Sequence, residues 1–139
     1  MAGEYFVDTS AWYPLLVASH ADHERLAATV STLIAQRRRS VTTNLVVAET
    51  HALILQREGR RAAHASLHAV DRAAAVLVHS GPALEAVARR DWLERYTDQD
   101  FSLADAVSFA VMRERRIEDV LTLDRHFAVA GFRVLPAIA

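Results

Sequence analysis

Short apolar runs alternate along this chain of 139 residues with longer segments in which apolar residues recur every three or four positions. The short runs have the length and composition of buried strands, and the longer segments have the period of helices that bury one face. The pattern predicts strands over residues 4–8, 40–44, 74–79, 119–124 and 132–135. Strands that alternate with helices favour a parallel sheet covered on both faces. We therefore predict a three-layer α/β/α fold with a central parallel sheet of about five strands.

The intervening segments are predicted to be helical. They cover residues 11–16, 20–38, 45–57, 60–71, 80–96 and 102–115, with a short helix between the last two strands. Ser10 and Asn44 are placed to cap the helices that come after them, and Gly59 is placed to end the third helix. Because no linker, internal repeat or low-complexity segment interrupts this pattern, we expect residues 1–139 to form a single domain.

Composition excludes several kinds of chemistry. The chain has no cysteine, so disulfides and thiolate metal sites are excluded. All 16 basic residues are arginine, which rules out any mechanism that needs a catalytic lysine. The sequence has no run long enough to span a membrane and does not begin like a signal peptide, so we expect a cytoplasmic protein without membrane contact.

Four acidic residues adjoin apolar runs at widely separated points of the chain. They are Asp8 after residues 5–7, Glu49 after 45–48, Asp105 before 106–112 and Asp124 after 120–123. In an open parallel sheet, binding sites form beyond the carboxyl ends of the strands, where the next helices also begin. All four side chains are therefore compatible with one cleft.

Carboxylates that share a cleft repel one another and raise each other's pKa, and a divalent cation between them removes that conflict. Ligands that are all oxygen favour Mg2+ or Mn2+ over zinc. The chemistry expected of such a centre is hydrolysis of a phosphodiester. Asp100 lies close enough along the chain to Asp105 to act as an auxiliary contact, whereas we expect Asp98 to be solvated.

Each acid also has a structural interpretation. Asp8 and Asp124 are placed to form turns or caps after their strands, and Asp105 is placed to complete a capping box with Ser102. Glu49 is harder to explain in this way, because its helical neighbours at three and four residues are all apolar. His126, two residues after Asp124, is interpreted as a structural hydrogen-bonding group, with a substrate contact as the alternative.

Four segments resemble those of PIN-domain ribonucleases, and most closely the VapC-type toxins of bacterial toxin-antitoxin pairs. The matching segments are FVDTSA at 6–11, TN through AE at 43–49, FSLADAVSF at 101–109 and VLTLDRHF at 120–127. Their order and their spread over nearly the whole chain make the resemblance specific. It implies that Asp8, Glu49, Asp105 and Asp124 surround Mg2+ or Mn2+ and are the catalytic residues. The family's small hydroxyl residue corresponds to Ser10, or less closely to Thr9.

The resemblance also implies a function and its partners. It predicts an endoribonuclease that cuts structured RNA, such as transfer RNA or ribosomal RNA, and so inhibits translation. The protein would be a homodimer neutralised by a VapB-type antitoxin. Arginine clusters at 37–39, 57–61 and 113–116 are candidates for phosphate contacts, although arginines near helix ends are more often solvated.

Three alternatives belong to other classes. A receiver-type signalling domain and a haloacid-type phosphatase share an acidic Mg2+ cleft, but both need a lysine that this chain lacks. A PIN-like module that binds RNA or a partner without catalysis is compatible with the same residues.

Overall fold

A five-stranded parallel sheet forms the centre of the protein, as a computed structural model that describes residues 3–137 shows. The strands are β1 Glu4–Val7, β2 Arg39–Thr43, β3 Val76–Val78, β4 Asp119–Leu121 and β5 Arg133–Leu135. Their order across the sheet is β3-β2-β1-β4-β5, and every neighbouring pair is parallel. The predicted α/β fold with a parallel sheet of five strands is confirmed.

Within residues 3–137, seven α-helices connect the strands. They are α1 Thr9–Leu16, α2 His23–Ala35, α3 Asn44–Glu58, α4 Arg60–Arg72, α5 Pro82–Ala88, α6 Leu103–Arg115 and α7 His126–Val129. The chain builds the sheet outward from β1 in one direction through β2 and β3, and then crosses to the other side of β1 to add β4 and β5. Since parallel crossovers are right-handed, this reversal places the two sets of connecting helices on opposite faces of the sheet.

Several element boundaries differ from the prediction. The first helix begins at Thr9 rather than Ala11, because the side chain of Asp8 accepts a hydrogen bond from the Ser10 amide and acts as the N-cap. Thr43, rather than Asn44, caps α3. The Asn44 side chain instead accepts a hydrogen bond of 2.7 Å from the Ser80 amide.

The predicted helix over 80–96 is divided, with α5 ending at Ala88 and a π-helical turn at Arg89–Leu93. Gly59 ends α3 as predicted and has φ of +96°, a backbone conformation that glycine adopts without strain.

Helix α6 contains a long run of buried residues. Its residues from Asp105 to Met112 are all buried, and such a largely apolar helix is typical of a core position. The Phe109 ring packs edge-on against Phe127 with 4.9 Å between ring centres. Asp105 therefore projects from a helix whose position is fixed by the core.

The hydrophobic interior has two parts. The main core lies between the sheet and its helices and includes Phe6, Val46, Phe109 and Val120. A smaller cluster of Tyr13, Ile54 and Ala63 lies between α1 and the α3–α4 hairpin. Helix α3 therefore contributes its first half to the main core and its second half to the smaller cluster. Among residues 3–137, no helix has the length and apolar character needed to cross a membrane.

An ion-pair cluster lies at the amino edge of the sheet, opposite the strand ends that carry the candidate site. The buried Asp119 of β4 accepts a hydrogen bond of 2.7 Å from Arg38 and another from Arg133. Burial alone would raise the pKa of Asp119, but the hydrogen bonds from Arg133 and Arg38 outweigh it and lower the pKa. The cluster ties β4 to β5 and to the segment that leads into β2.

Replacing Asp119 should destabilise the fold without affecting chemistry at the opposite edge. The change Asp119→Ala leaves the half-buried Arg38 guanidinium without its carboxylate, which we expect to cost about 3 kcal/mol of unfolding free energy. Urea denaturation measures this loss. Glu118→Gln is the matched control, since Glu118 is exposed and lies 3.7 Å from Arg133. Equal losses from the two changes would contradict a specific role for Asp119.

Candidate active site

Asp8 is a buried carboxylate at the carboxyl end of β1. It is 4% exposed, and its Oδ2 accepts hydrogen bonds from the hydroxyls of Ser10 at 2.9 Å and Thr122 at 3.1 Å. Burial raises the pKa of Asp8 to about 6, because the charged form loses its hydration. The hydrogen bond from Ser10 opposes this rise, while the neighbouring charge of Asp105 adds to it.

Thr122 connects Asp8 to the turn after β4. Its hydroxyl lies 2.8 Å from that of Ser10 and accepts a hydrogen bond of 2.9 Å from the Asp124 amide. Ser10 in turn accepts a hydrogen bond of 2.9 Å from the Leu123 amide. The start of α1 and the segment that carries Asp124 are therefore held together by two hydroxyls. Ser10 was expected near the first acid, and the structure adds Thr122, whose hydroxyl also donates to Asp8. Thr122 was not among the candidates from the sequence.

The strand register explains this meeting. Val7 of β1 lies beside Leu121 of β4, and the Asp8 amide donates a 3.1 Å hydrogen bond to the Leu121 carbonyl. The next residue on each strand is then Asp8 and Thr122. The sequence shows Thr122 within the predicted strand 119–124, but the pairing of that strand with β1, which explains its role, was unknown.

Asp105 lies in the first turn of α6 and forms the capping box that the sequence predicts. The Ser102 hydroxyl accepts a hydrogen bond of 3.0 Å from the Asp105 amide, and Asp105 Oδ2 accepts one of 3.1 Å from the Ser102 amide. The capping interpretation and the functional interpretation of Asp105 are therefore compatible. The capping box fixes the orientation of the side chain that faces the site.

Asp124 and His126 complete the group. One ligand atom from each of Asp105, Asp124 and His126 lies within 4.8 Å of the others. The His126 Nδ1 atom is 3.4 Å from Asp105 Oδ2 and 3.6 Å from Asp124 Oδ1, and the His126 amide donates a 2.9 Å hydrogen bond to Asp124 Oδ1. His126 was expected to make a structural hydrogen bond and was not expected among the acids.

Glu49 and Asp100 stand apart from these contacts. Glu49 lies in the second turn of α3 and is exposed, although its helical neighbours at three and four residues are all apolar. One of those neighbours, Ala52, is itself exposed. Because α3 begins at the carboxyl end of β2, beside β1, Glu49 belongs to the same edge of the sheet. Asp100 is exposed in the loop before α6.

The donor set fits a divalent cation. Burial raises the pKa of Asp8 and the neighbouring charge of Asp105 adds to the rise, so a nearby positive charge would stabilise the ionised Asp8. Carboxylate oxygens are the ligands that Mg2+ and Mn2+ favour. Asp105, Asp124 and His126 are close enough to share one ion, with Asp8 adjacent to them.

The raised pKa of Asp8 predicts how the metal-free protein depends on pH. The unfolded protein releases this proton at the ordinary pKa of 3.8, whereas the folded protein retains it up to about pH 6. The free energy of unfolding therefore falls as the pH rises through that interval and stays low above it. Asp8→Asn keeps an oxygen acceptor for Ser10 and Thr122 but cannot ionise. In chelator-treated protein it should therefore gain about 2–3 kcal/mol at pH 8 and nothing below pH 4. Urea unfolding at both values measures the difference, and Asp98→Asn is the exposed control. A gain that is the same at both values would contradict the assignment.

Comparison with known proteins gives the family. Residues 5–133 match the family model described as the PIN domain. The chain is 40% identical over 131 residues to the 23S rRNA-specific endonuclease VapC20 of Mycobacterium tuberculosis, covering 91% of this chain and 94% of the relative. The same match is found in two strains.

A solved structure agrees with the sequence match. The crystal structure of M. tuberculosis VapC20, described as a Sarcin-Ricin loop cleaving toxin, superimposes with a TM-score of 0.78 at 36% identity. The match covers 92% of this chain and 95% of that one. The chain therefore belongs to the PIN domain family and, within it, to the VapC-type ribonuclease toxins.

Proposed function

We propose that this protein is a divalent-metal-dependent endoribonuclease and the toxin of a VapBC-type toxin-antitoxin pair. The observation that carries the proposal is the convergence of Asp8, Asp105 and Asp124 beyond β1 and β4, where the strand order reverses. Such a reversal is where open parallel sheets place their ligands. Membership of the PIN domain family supports nuclease chemistry at this edge.

Each acid has a proposed role toward the metal. Mg2+ or Mn2+ bound here would supply an activated water and neutralise charge on the phosphate. Asp8 has its Oδ2 held by Ser10 and Thr122, and its other oxygen is the proposed ligand. Asp105 is oriented by its capping box, and Asp124 by the hydrogen bonds of the β4–α7 turn. Glu49 completes the ligand set from the solvent side, and Asp100 is an auxiliary contact.

The substrate we propose is a loop of ribosomal RNA. The relative that supports this choice is named as specific for 23S rRNA and as cleaving the Sarcin-Ricin loop, and it matches this chain over nearly its whole length. Loops expose bases and backbone that a duplex hides, so a protein can reach the scissile phosphate. Cleavage of such a loop would stop translation.

A groove beside the acids offers a path for the RNA backbone. It has a volume of about 400 Å³ and its lining includes Thr122, Arg25 and Arg125. Thr122 lines the groove and its hydroxyl also donates a hydrogen bond to Asp8, and we propose that RNA lying in the groove extends from there to the acids. Arginine contacts to phosphates position a nucleic acid without reading its sequence. We propose that Arg25 and Arg125 hold phosphates next to the one that is cut.

The proposal extends to partners. VapC-type toxins pair with VapB antitoxins, and we propose a VapB-type antitoxin as the neutralising partner and a homodimer as the toxin's own assembly. We place the activity in the cytoplasm, where ribosomes are. An adjacent reading frame that encodes a short DNA-binding protein would support the pairing.

Removing a metal ligand should abolish cleavage. Asp8→Ala and Asp105→Asn each take a charge from the centre, and losing several kcal/mol of charge stabilisation slows the reaction by about 100-fold or more. Purified protein is incubated with ribosomes or a 23S rRNA fragment plus Mg2+ or Mn2+, and new 5′ ends are mapped. Glu49→Gln and Asp100→Asn, assayed alongside, separate a ligand from an auxiliary contact.

The matched control is Asp98→Asn, which removes an exposed carboxylate from the loop before α6 and should cut as the parent does. A chelator should stop cleavage, and added Mg2+ or Mn2+ should restore it. If Asp8→Ala and Asp105→Asn remain as toxic as the parent on expression, or if neither metal supports cutting of any cellular RNA, the proposal is wrong.

A further inference from the structure

His126 is held in a fixed orientation between two of the acids. It is the first residue of α7, and its amide donates to Asp124 Oδ1 at 2.9 Å. Its ring packs edge-on against Phe101, with 5.2 Å between ring centres and 85° between ring planes. The backbone contact and the aromatic contact together direct Nδ1 toward Asp105 and Asp124 rather than toward solvent.

One long hydrogen bond joins the His126 ring to the acids. Nδ1 is 3.4 Å from Asp105 Oδ2, which is a hydrogen bond, and 3.6 Å from Asp124 Oδ1, whereas good N–H···O bonds are about 2.7–3.2 Å long. Two ligands of one ion lie about 3.0–3.4 Å apart when each bond is about 2.1 Å long. One ligand atom of each of the three side chains lies within 4.8 Å of the others, so the three side chains are close enough to hold one ion.

The two carboxylates are also oriented independently of the His126 ring. Asp105 Oδ2 accepts a hydrogen bond from the Ser102 amide, and Asp124 is anchored through the Thr122 hydroxyl and its own bond to the His126 amide. Ligands held in place by hydrogen bonds to their other atoms are characteristic of metal centres. The imidazole is thus not needed to position either acid, and its Nδ1 is available as a ligand.

We propose that His126 binds the divalent ion through Nδ1, together with Asp105 and Asp124, and that this nitrogen gives the centre a preference for Mn2+ or another first-row transition ion over Mg2+. The inference rests on the proposed function in that it assumes a divalent ion at this site. Mg2+ favours oxygen ligands, whereas imidazole nitrogen is a good ligand for transition ions. The centre expected from the sequence contained only oxygen ligands and lacked this donor.

Mn2+ itself is the probe that tests the proposal. In full-length protein loaded with Mn2+, pulsed electron paramagnetic resonance should show nitrogen nuclear modulation from a bound imidazole. The signal should disappear in His126→Asn. It should persist in His64→Asn, because His64 is an exposed histidine on α4, away from the acids. No nitrogen signal in the parent, or a signal that survives His126→Asn, overturns the proposal.

Affinity provides a second measurement. Loss of the nitrogen should weaken Mn2+ binding by about tenfold or more, with a smaller effect on Mg2+. His126→Asp replaces nitrogen by oxygen, and it should bind Mn2+ without nitrogen modulation and lower the ratio of Mn2+ to Mg2+ affinity. Circular dichroism establishes that each variant is folded. An unchanged ratio in both folded variants contradicts the proposal.

The outcomes separate this inference from the proposed function. If nitrogen modulation is absent while the parent still binds Mn2+ and cuts RNA, the inference fails and the nuclease stands. If the parent binds neither Mn2+ nor Mg2+, metal-dependent catalysis fails and the inference fails with it. If His126→Asn loses the nitrogen signal while Asp105→Asn retains full cleavage, His126 binds the ion but the acids are not the catalytic centre.

Discussion

Burial of the Asp8 carboxylate is the constraint on which the active edge of the sheet depends. A charge at this depth loses its hydration, and the hydroxyls of Ser10 and Thr122 replace only part of it. The negative charge of Asp105 repels that of Asp8 and raises its pKa further. A cation would therefore stabilise the charged form of Asp8, and the hydrogen bonds that orient Ser10, Thr122 and Asp124 preserve the geometry in which one ion can contact several acids.

A second buried carboxylate, at the opposite edge of the sheet, has its pKa shifted in the opposite direction. Asp119, at the amino end of β4, is buried like Asp8, but Arg38 and Arg133 hold its pKa below the ordinary range. Asp8, at the carboxyl end of β1, has its pKa raised to about 6 by burial and by the neighbouring charge of Asp105, which hydrogen bonds from Ser10 and the backbone only partly oppose. The carboxylate of Asp119, which is paired with arginines, has a structural role. The carboxylate of Asp8, whose pKa is raised, is the one suited to chemistry.

Features that depend on local pattern were predictable from the sequence. Strands and helices were visible from their periods, and Asp8 and Asp124 were predicted to lie at strand ends because they come directly after apolar runs. The capping box of Asp105 was also predictable, since its members are three residues apart. Thr122 and His126 could not be assigned in this way. Their roles depend on the pairing of β1 with β4 and on the turn into α7, neither of which leaves a periodic signal.

Glu49 shows how little apolar neighbours in a helix say about the burial of a carboxylate. The residues three and four positions from it in α3 are apolar. Glu49 is nevertheless exposed to solvent, while Val46 and Ile54 of the same helix are buried. Its place at the active edge depends on topology alone. The family resemblance, rather than burial, is what supports Glu49 as a ligand.

The division of α3 between two hydrophobic clusters has a dynamic consequence. The cluster of Tyr13, Ile54 and Ala63 is distinct from the main core, so a local opening of that cluster would leave Val46 packed in the main core. Glu49 lies between these two anchors, on the side fixed to the core by Val46 and Thr50. An opening confined to that end of the hairpin would leave the acids in register.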